Sequence, residues 1–159
     1  LYDIPPRSVV SIAWETLYRL AEHPRIVAVK DARGDLGGGA EIIATTELAY
    51  YCGDDALNLP WLSVGAAGFA SVIGNVVPDR LRAMITAFDA GEVNAAREVH
   101  VSTLSLIRAF CLAGGVAFAK AALRLTGLEV GDPRLPQVPA DPDQVTAITA
   151  ALAEAGALA

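Results

Sequence analysis

Short apolar runs alternate with helical patterns along the first 90 residues, and this alternation limits what the chain can fold into. The runs are LYDI (1–4), IVAVK (26–30), LAYYC (48–52) and GFASVI (68–73). The second run is apolar up to its last residue and rich in β-branched side chains, as expected of a strand covered on both faces. A β-α order with short connections predicts a parallel sheet with helices outside it. Such a sheet is either doubly wound and open or part of a (β/α) barrel.

Helices are expected between and after these runs. Periodicity and breakers predict them over 11–23, over 36–46, in a short segment entered through Asp54 or Asp55, and over 78–90. Asp35 is the expected cap of the second helix, although the glycines at 37–39 weaken its first turn.

The pattern changes after Gly91, where alternation gives way to helix alone. Residues 92–112 are predicted to form one long helix, 116–126 a second and 143–156 a third, the last capped by Asp141. We therefore expect two parts, a βα part over 1–91 and a helical domain of three helices over 92–159.

Composition excludes several classes of function. The net charge is −6, and lysine occurs only at positions 30 and 120, so no basic cluster exists for a nucleic-acid partner. No apolar run approaches the roughly 18–20 residues of a membrane span. Cys52 and Cys111 form no motif and fit buried thiols in a reducing cytoplasm. The chain begins without Met, on what resembles the end of a strand, so we expect residue 1 not to be the natural start.

Lys30 is the strongest candidate for chemistry, because working residues in parallel βα proteins lie where strands end. At the end of an apolar strand an ammonium is poorly solvated, and a neutral amine can attack a carbonyl to form a Schiff base. Arginine can replace lysine in an ion pair but not in an imine, and one of only two lysines stands here. The alternative is a lysine that clears the rim and pairs with Asp31 or Asp35.

Tyr2 and Arg7 are the next candidates. Neighbouring strand ends lie roughly 5 Å apart, so Tyr2 can reach a substrate bound to Lys30 and relay protons. Arg7 follows in the loop and can grip a substrate carboxylate. The alternatives are an aromatic side chain that packs on a helix and an ordinary surface arginine.

Gly53, Asp54 and Asp55 have two interpretations, a helix cap with glycine in a tight turn or a turn whose backbone lines a pocket. Asp54 and Asp55 lack the His or Cys that would complete a metal site. His23 and His100 are isolated, and we assign neither to a site. We expect no metal and no cofactor.

Three stretches resemble the dihydrodipicolinate synthase family: YDIPPRS, IVAVKDARGDL and YYCGDDALNLPWLSVGAAGFASVIGNVVP. This family belongs to the class I Schiff-base aldolases, which include N-acetylneuraminate lyase, and the tail GDPRLPQVPADP resembles its actinobacterial branch. The resemblance implies a (β/α)8 TIM barrel, of which 1–91 would be the second half (strands 5–8), followed by the C-terminal helical domain.

The resemblance also implies roles for particular residues. Lys30 would form an imine with pyruvate, and Tyr2 would relay protons. Arg7 would hold the carboxylate of aspartate semialdehyde, while Gly53 and Ala70 would line the pyruvate pocket. The enzyme would be a cytoplasmic homotetrameric lyase of lysine and diaminopimelate biosynthesis.

The chain departs from the family pattern in several places. Asp3 stands where the family has Asn, Cys52 where Ser or Thr is frequent, and Ala70 where a larger aliphatic residue is common. A full barrel takes about 250 residues. We therefore expect the chain to need a missing N-terminal half for activity. Two alternatives stay open: another pyruvate-dependent Schiff-base aldolase or lyase of the same group, and an inactive fragment that only assembles, through the helices of 92–126.

Overall fold

The computed structural model describes residues 1–158 and confirms a parallel sheet. Its four strands are β1 (Tyr2–Asp3), β2 (Ala28–Asp31), β3 (Ala49–Cys52) and β4 (Gly68–Phe69). They lie in the order β1-β2-β3-β4, and each neighbouring pair is parallel. A doubly wound sheet reverses its strand order at a switch point, and these strands show no reversal. The α/β arrangement is consistent with part of a (β/α) barrel.

Nine α-helices accompany the strands in the part of the chain that the structure describes. They are α1 (Pro5–Ser8), α2 (Trp14–Ala21), α3 (Leu36–Thr45), α4 (Asn58–Ser63), α5 (Pro78–Asp89), α6 (Val93–Ser102), α7 (Leu104–Ala113), α8 (Gly115–Leu125) and α9 (Pro142–Glu154). Two 3-10 turns cover Asp55–Leu57 and Ile73–Asn75. No helix over residues 1–158 is both long and apolar enough to cross a membrane.

The caps predicted at Asp35 and Asp141 are confirmed. The Asp35 carboxylate accepts a hydrogen bond of 3.0 Å from the backbone N–H of Gly38. Asp141 accepts from Gln144 N at 2.8 Å, and the Gln144 side chain accepts from Asp141 N at 3.0 Å, which completes a capping box. These local bonds satisfy N–H groups that the first turn of a helix leaves unpaired.

The expected single helix over 92–112 is wrong, because the structure divides it into α6 and α7 at Thr103. Thr103 is buried, and both its hydroxyl and its backbone N–H donate to His100 O, at 2.7 and 3.0 Å. Bonds to the residue three positions back tighten the turn and interrupt the α-helical pattern. Four helices rather than three therefore follow residue 92, and the final residue of the expected helical domain, Ala159, lies outside the described residues.

The fourth apolar run is also shorter as a strand than expected. Only Gly68–Phe69 of the run at 68–73 is strand. Ala70 N still donates to Cys52 O at 2.7 Å, but the Ser71 hydroxyl bonds to the Asp55 carboxylate and the 3-10 turn follows. The chain leaves the sheet at this side-chain bond.

The chain folds as two compact units, Leu1–Ser71 and Val72–Ala159. In the first unit one face of the sheet packs against helices, and the buried side chains there include Leu17, Val29, Ile42, Tyr50, Cys52 and Trp61. In the second unit, the buried side chains of α5–α9 include Met84, Leu106, Phe118, Ile148 and Leu152.

Gly39 allows close packing in the core of the first unit because it has no side chain. It lies in α3, and a Cβ atom there would overlap the indole ring of the buried Trp61. A Cβ on Gly37, in the same helix, would meet only Asp35 Oδ1 at 3.6 Å. The two glycines therefore provide a matched pair in one helix.

We predict that Gly39→Ala destabilises the protein while Gly37→Ala does not. Overpacking against Trp61 should lower the free energy of unfolding by about 1–3 kcal/mol. Gly37→Ala should raise it by up to about 1 kcal/mol, because alanine favours helix over glycine. Urea unfolding followed by circular dichroism measures both, and equal effects of the two substitutions would contradict the packing argument.

Candidate functional site

The structure brings Tyr2 and Lys30 together on one face of the sheet. The parallel register pairs Tyr2 with Lys30 and Lys30 with Tyr51, so these three side chains project from the same face. Lys30 Nζ lies 4.2 Å from the centroid of the Tyr2 ring, within the range of a cation–π contact. Lys30 is half-buried, whereas Tyr2 is 48% exposed. The amine and the phenol are thus neighbours at the carboxyl end of the sheet.

Gly53 lies against the stem of this lysine. It follows β3 directly, and its N–H donates to Asp31 O at 2.6 Å. A Cβ on Gly53 would lie 2.9 Å from Lys30 Cε and 3.0 Å from Lys30 Cγ, closer than side chains normally approach. The lysine stem therefore occupies the space that a side chain at position 53 would need.

Ala70 and Arg7 occupy the same end of the strands but differ in their surroundings. Ala70 is half-buried just beyond β4 and extends the parallel pairing through its bond to Cys52 O. Arg7 is exposed in α1, the single turn that follows β1. Among residues 1–158 the recorded salt bridges do not include Arg7.

The alternative in which Lys30 pairs with Asp31 or Asp35 is wrong. Asp31 is the next residue in β2 and therefore points to the opposite face, where it is 1% exposed. Asp35 caps α3. Lys30 forms no salt bridge with either acid in the described part of the chain.

Two buried acids form a second row directly behind Tyr2 and Lys30. Asp3 and Asp31 are register partners on the helix-facing side of the sheet, and Asp3 is only 2% exposed. The Asp3 carboxylate lies 3.1 Å from Arg33 Nη2 and accepts from Ile12 N at 3.3 Å. The Arg33 guanidinium in turn lies 4.0 Å from the ring of Trp14. Sequence reasoning missed this row, although acids follow both Tyr2 and Lys30 and an arginine stands two residues beyond the second.

Asp31 accepts hydrogen bonds from three donors. Its Oδ1 atom accepts from Arg33 N at 2.9 Å and from Gly34 N at 3.0 Å, and Oδ2 accepts from the Tyr50 hydroxyl at 2.8 Å. Burial, together with the bond to Asp31, raises the pKa of Tyr50 well above its ordinary value. Tyr50 therefore remains a protonated donor to this carboxylate.

The turn after β3 fits the capping interpretation. Asp54 accepts from Ala56 N at 3.1 Å at the start of the 3-10 turn. Asp55 is buried and bonds to Asn58 Nδ2 at 3.1 Å and to the Ser71 hydroxyl. Over residues 1–158 no three His, Cys, Asp or Glu side chains form a group that could hold a metal ion.

Comparison with protein families and curated proteins gives consistent matches. The model of the dihydrodipicolinate synthetase family matches residues 1–155. The 4-hydroxy-tetrahydrodipicolinate synthase of Mycolicibacterium gilvum is 57% identical over 158 residues, covering 99% of this chain and 52% of the relative. That of Corynebacterium aurimucosum is 54% identical over 159 residues, covering 99% and 53%. The chain thus spans about half the length of the curated relatives it matches.

Solved structures with the same fold carry similar names. Dihydrodipicolinate synthase from Cyanidioschyzon merolae with lysine bound superposes with a TM-score of 0.95 at 38% identity, covering 99% of this chain and 54% of that one. The Bacillus anthracis dihydrodipicolinate synthase superposes with a TM-score of 0.91 at 38% identity, covering 96% of this chain and 53% of that one. A monomeric dihydrodipicolinate synthase variant superposes with a TM-score of 0.91 at 28% identity, covering 99% of this chain and 54% of that one.

The two cysteines should differ sharply in reactivity. Cys52 is buried beside Gly53, with its Sγ 2.9 Å from Asp54 O, and burial raises the pKa of this thiol to about 12. Cys111 is exposed. Since only the thiolate attacks, a raised pKa leaves Cys52 almost wholly protonated at about pH 8.

We therefore predict that, of Cys52 and Cys111, a thiol reagent at about pH 8 labels one in the native protein and both after unfolding in urea. Peptide mapping should place the native label on Cys111, and Cys111→Ser should abolish it. Rapid native labelling of Cys52 would contradict the described burial.

Proposed function

The chain belongs to the dihydrodipicolinate synthetase family, and on that premise we propose that it supplies the Schiff-base lysine of a 4-hydroxy-tetrahydrodipicolinate synthase. This enzyme is a lyase of lysine and diaminopimelate biosynthesis that joins pyruvate to aspartate semialdehyde. The observation that carries the proposal is the position of Lys30 Nζ, 4.2 Å from the Tyr2 ring where parallel strands end. Active sites of parallel barrels lie at that end of the strands.

Lys30 forms the covalent intermediate in this proposal. Its amine attacks the keto carbon of pyruvate, the carbonyl oxygen leaves as water, and an imine results. Loss of a methyl proton gives the enamine, whose carbon bonds to the aldehyde carbon of the second substrate while the aldehyde oxygen gains a proton. The amino group of that substrate then attacks the imine carbon, which closes the ring and releases Lys30. No cofactor is needed at any step.

Tyr2 is the proton relay of this sequence. Protons must move to the oxygen that leaves pyruvate and to the oxygen of the aldehyde, and a positioned phenol can carry them. Tyr2 suits this task because its ring centroid lies 4.2 Å from Lys30 Nζ, the atom that binds pyruvate in this proposal.

Arg7, Gly53 and Ala70 contact the substrates in this proposal. Arg7 is exposed directly after β1, and a guanidinium there can pair with the carboxylate of aspartate semialdehyde. Gly53 and Ala70 follow β3 and β4 and line the pyruvate pocket with their backbone. Ala70 is small, so it leaves room at this wall.

We further propose that the four strands act as strands 5–8 of an eight-stranded barrel, over 1–91, with the helical domain over 92–159. A closed barrel takes eight strands and about 250 residues, and the chain matches about half the length of its relatives. Catalysis then requires the other half of the barrel, and these 159 residues do not turn over alone. The assembled enzyme is a cytoplasmic homotetramer.

Borohydride trapping tests the covalent step. We predict that the protein expressed in full from its gene, treated with pyruvate and sodium borohydride, gains one reduced pyruvate unit on the peptide that contains Lys30. Lys30→Arg should abolish the adduct, whereas Lys120→Arg, which removes the other lysine of this chain, should leave it intact. A protein that is folded yet unlabelled at Lys30 would remove the proposal.

Substrate comparison tests Arg7. We predict that Arg7→Ala raises KM for aspartate semialdehyde by about tenfold or more, since a charge-assisted bond is worth roughly 1.5–3 kcal/mol. It should leave pyruvate trapping unchanged. Arg19→Ala, an exposed arginine of α2, serves as the matched control and should change neither quantity. If Arg7→Ala does not alter KM, Arg7 is an ordinary surface residue.

A further inference from the structure

Asp31 is the residue that follows Lys30, and the two side chains leave β2 in opposite directions. Because Lys30 and Asp31 are consecutive in the backbone of β2, contacts that hold the Asp31 side chain in place also set the direction in which the Lys30 side chain leaves the strand. We propose that the Asp31 carboxylate, held by Tyr50 and by the turn at Arg33 and Gly34, is the positioning group that keeps Lys30 beside Tyr2. This inference rests on the proposed function.

The contacts of Asp31 are complete without solvent. Three donors reach its two oxygens at 2.8–3.0 Å, and the residue is 1% exposed. A buried carboxylate loses its hydration and must recover the lost interactions from internal donors. Rotation of Asp31 would break these bonds, so the end of β2 has one favoured orientation.

Tyr50 connects this carboxylate to the core. It is buried in β3, and its ring centroid lies 5.0 Å from that of Trp61. In the register Tyr50 pairs with Val29, so its bond to Asp31 crosses the two strands diagonally. The raised pKa of Tyr50 keeps its hydroxyl protonated throughout the neutral pH range.

Arg33 extends the same arrangement to β1. Its backbone N–H donates to Asp31, and its guanidinium lies 3.1 Å from the carboxylate of Asp3, the residue after Tyr2. Each of the two side chains on the substrate face therefore precedes a buried acid, and one arginine contacts both acids. The separation of Tyr2 and Lys30 follows from the placement of this Asp3–Arg33–Asp31 group behind them.

Substitution of Tyr50 tests the positioning role without altering the substrate face. Tyr50→Phe keeps the ring in the core but removes the donor to Asp31 Oδ2. We expect the rate of borohydride-trappable imine formation at saturating pyruvate to fall roughly tenfold per folded protein, because small misplacements of a reacting group are costly. The matched control is Tyr18→Phe, which removes a 3.0 Å bond to the Glu41 carboxylate between α2 and α3 and should leave the rate unchanged.

Two substitutions of Asp31 separate hydrogen bonding from charge. In Asp31→Asn the side-chain oxygen can accept from both backbone amides, and its NH2 group can donate to the Tyr50 oxygen. We expect a rate close to that of the wild type, whereas Asp31→Ala should be slow. Thermal unfolding of each variant identifies any that fail to fold. If Asp31→Ala does not fold, the positioning role is tested by comparing the rates of imine formation in Tyr50→Phe and Asp31→Asn.

The outcomes are distinguishable. A wild-type protein that traps pyruvate at Lys30, together with a Tyr50→Phe variant that traps it equally fast, overturns the positioning role and leaves the proposed function intact. A folded Asp31→Asn as slow as Tyr50→Phe also overturns it, because charge rather than hydrogen bonding would then matter. Absence of trapping in the wild type instead removes the proposed function itself.

Discussion

The parallel register between β1 and β2 is the constraint from which the site follows. It places Tyr2 beside Lys30 on one face and Asp3 beside Asp31 on the other. A shift of β2 by one residue would exchange its two faces, bringing the Asp31 carboxylate to the solvated side and burying the Lys30 amine among apolar side chains. The bonds made by the buried acids oppose such a shift, so the register and the site stabilise each other.

The acids are tolerated in the interior because a cation or hydrogen-bond donors lie beside each of them. Asp3 has the Arg33 guanidinium and a backbone amide, and Asp31 has two amides and a phenol. An ion buried without such partners would cost several kcal/mol. Polar groups at this depth contribute orientation rather than net stability, whereas the apolar residues around Trp61 contribute the stability.

Local patterns predicted most of the fold, and long-range contacts account for what they missed. Apolar runs located the strands, and short-range chemistry located the caps at Asp35 and Asp141. The break at Thr103 was not predictable, because a single threonine lowers helix propensity only slightly and this one acts through its burial and its bond to His100 O. Tyr2 and Lys30 were predictable as neighbours from strand order alone. The hydrogen bond between Tyr50 and Asp31 was not predictable, since the two residues are 19 positions apart in sequence and meet only through the strand register.

The space at Gly53 has a consequence for transplanting this amine into other proteins. The stem of Lys30 fills the space that a Cβ atom would need on Gly53, the residue that follows the neighbouring strand β3. A designer who grafts only the lysine onto a foreign parallel sheet would meet a steric clash at nearly any neighbouring amino acid. The unit that can be transferred is therefore a pair of positions on adjacent strands, with lysine at one and glycine at the other.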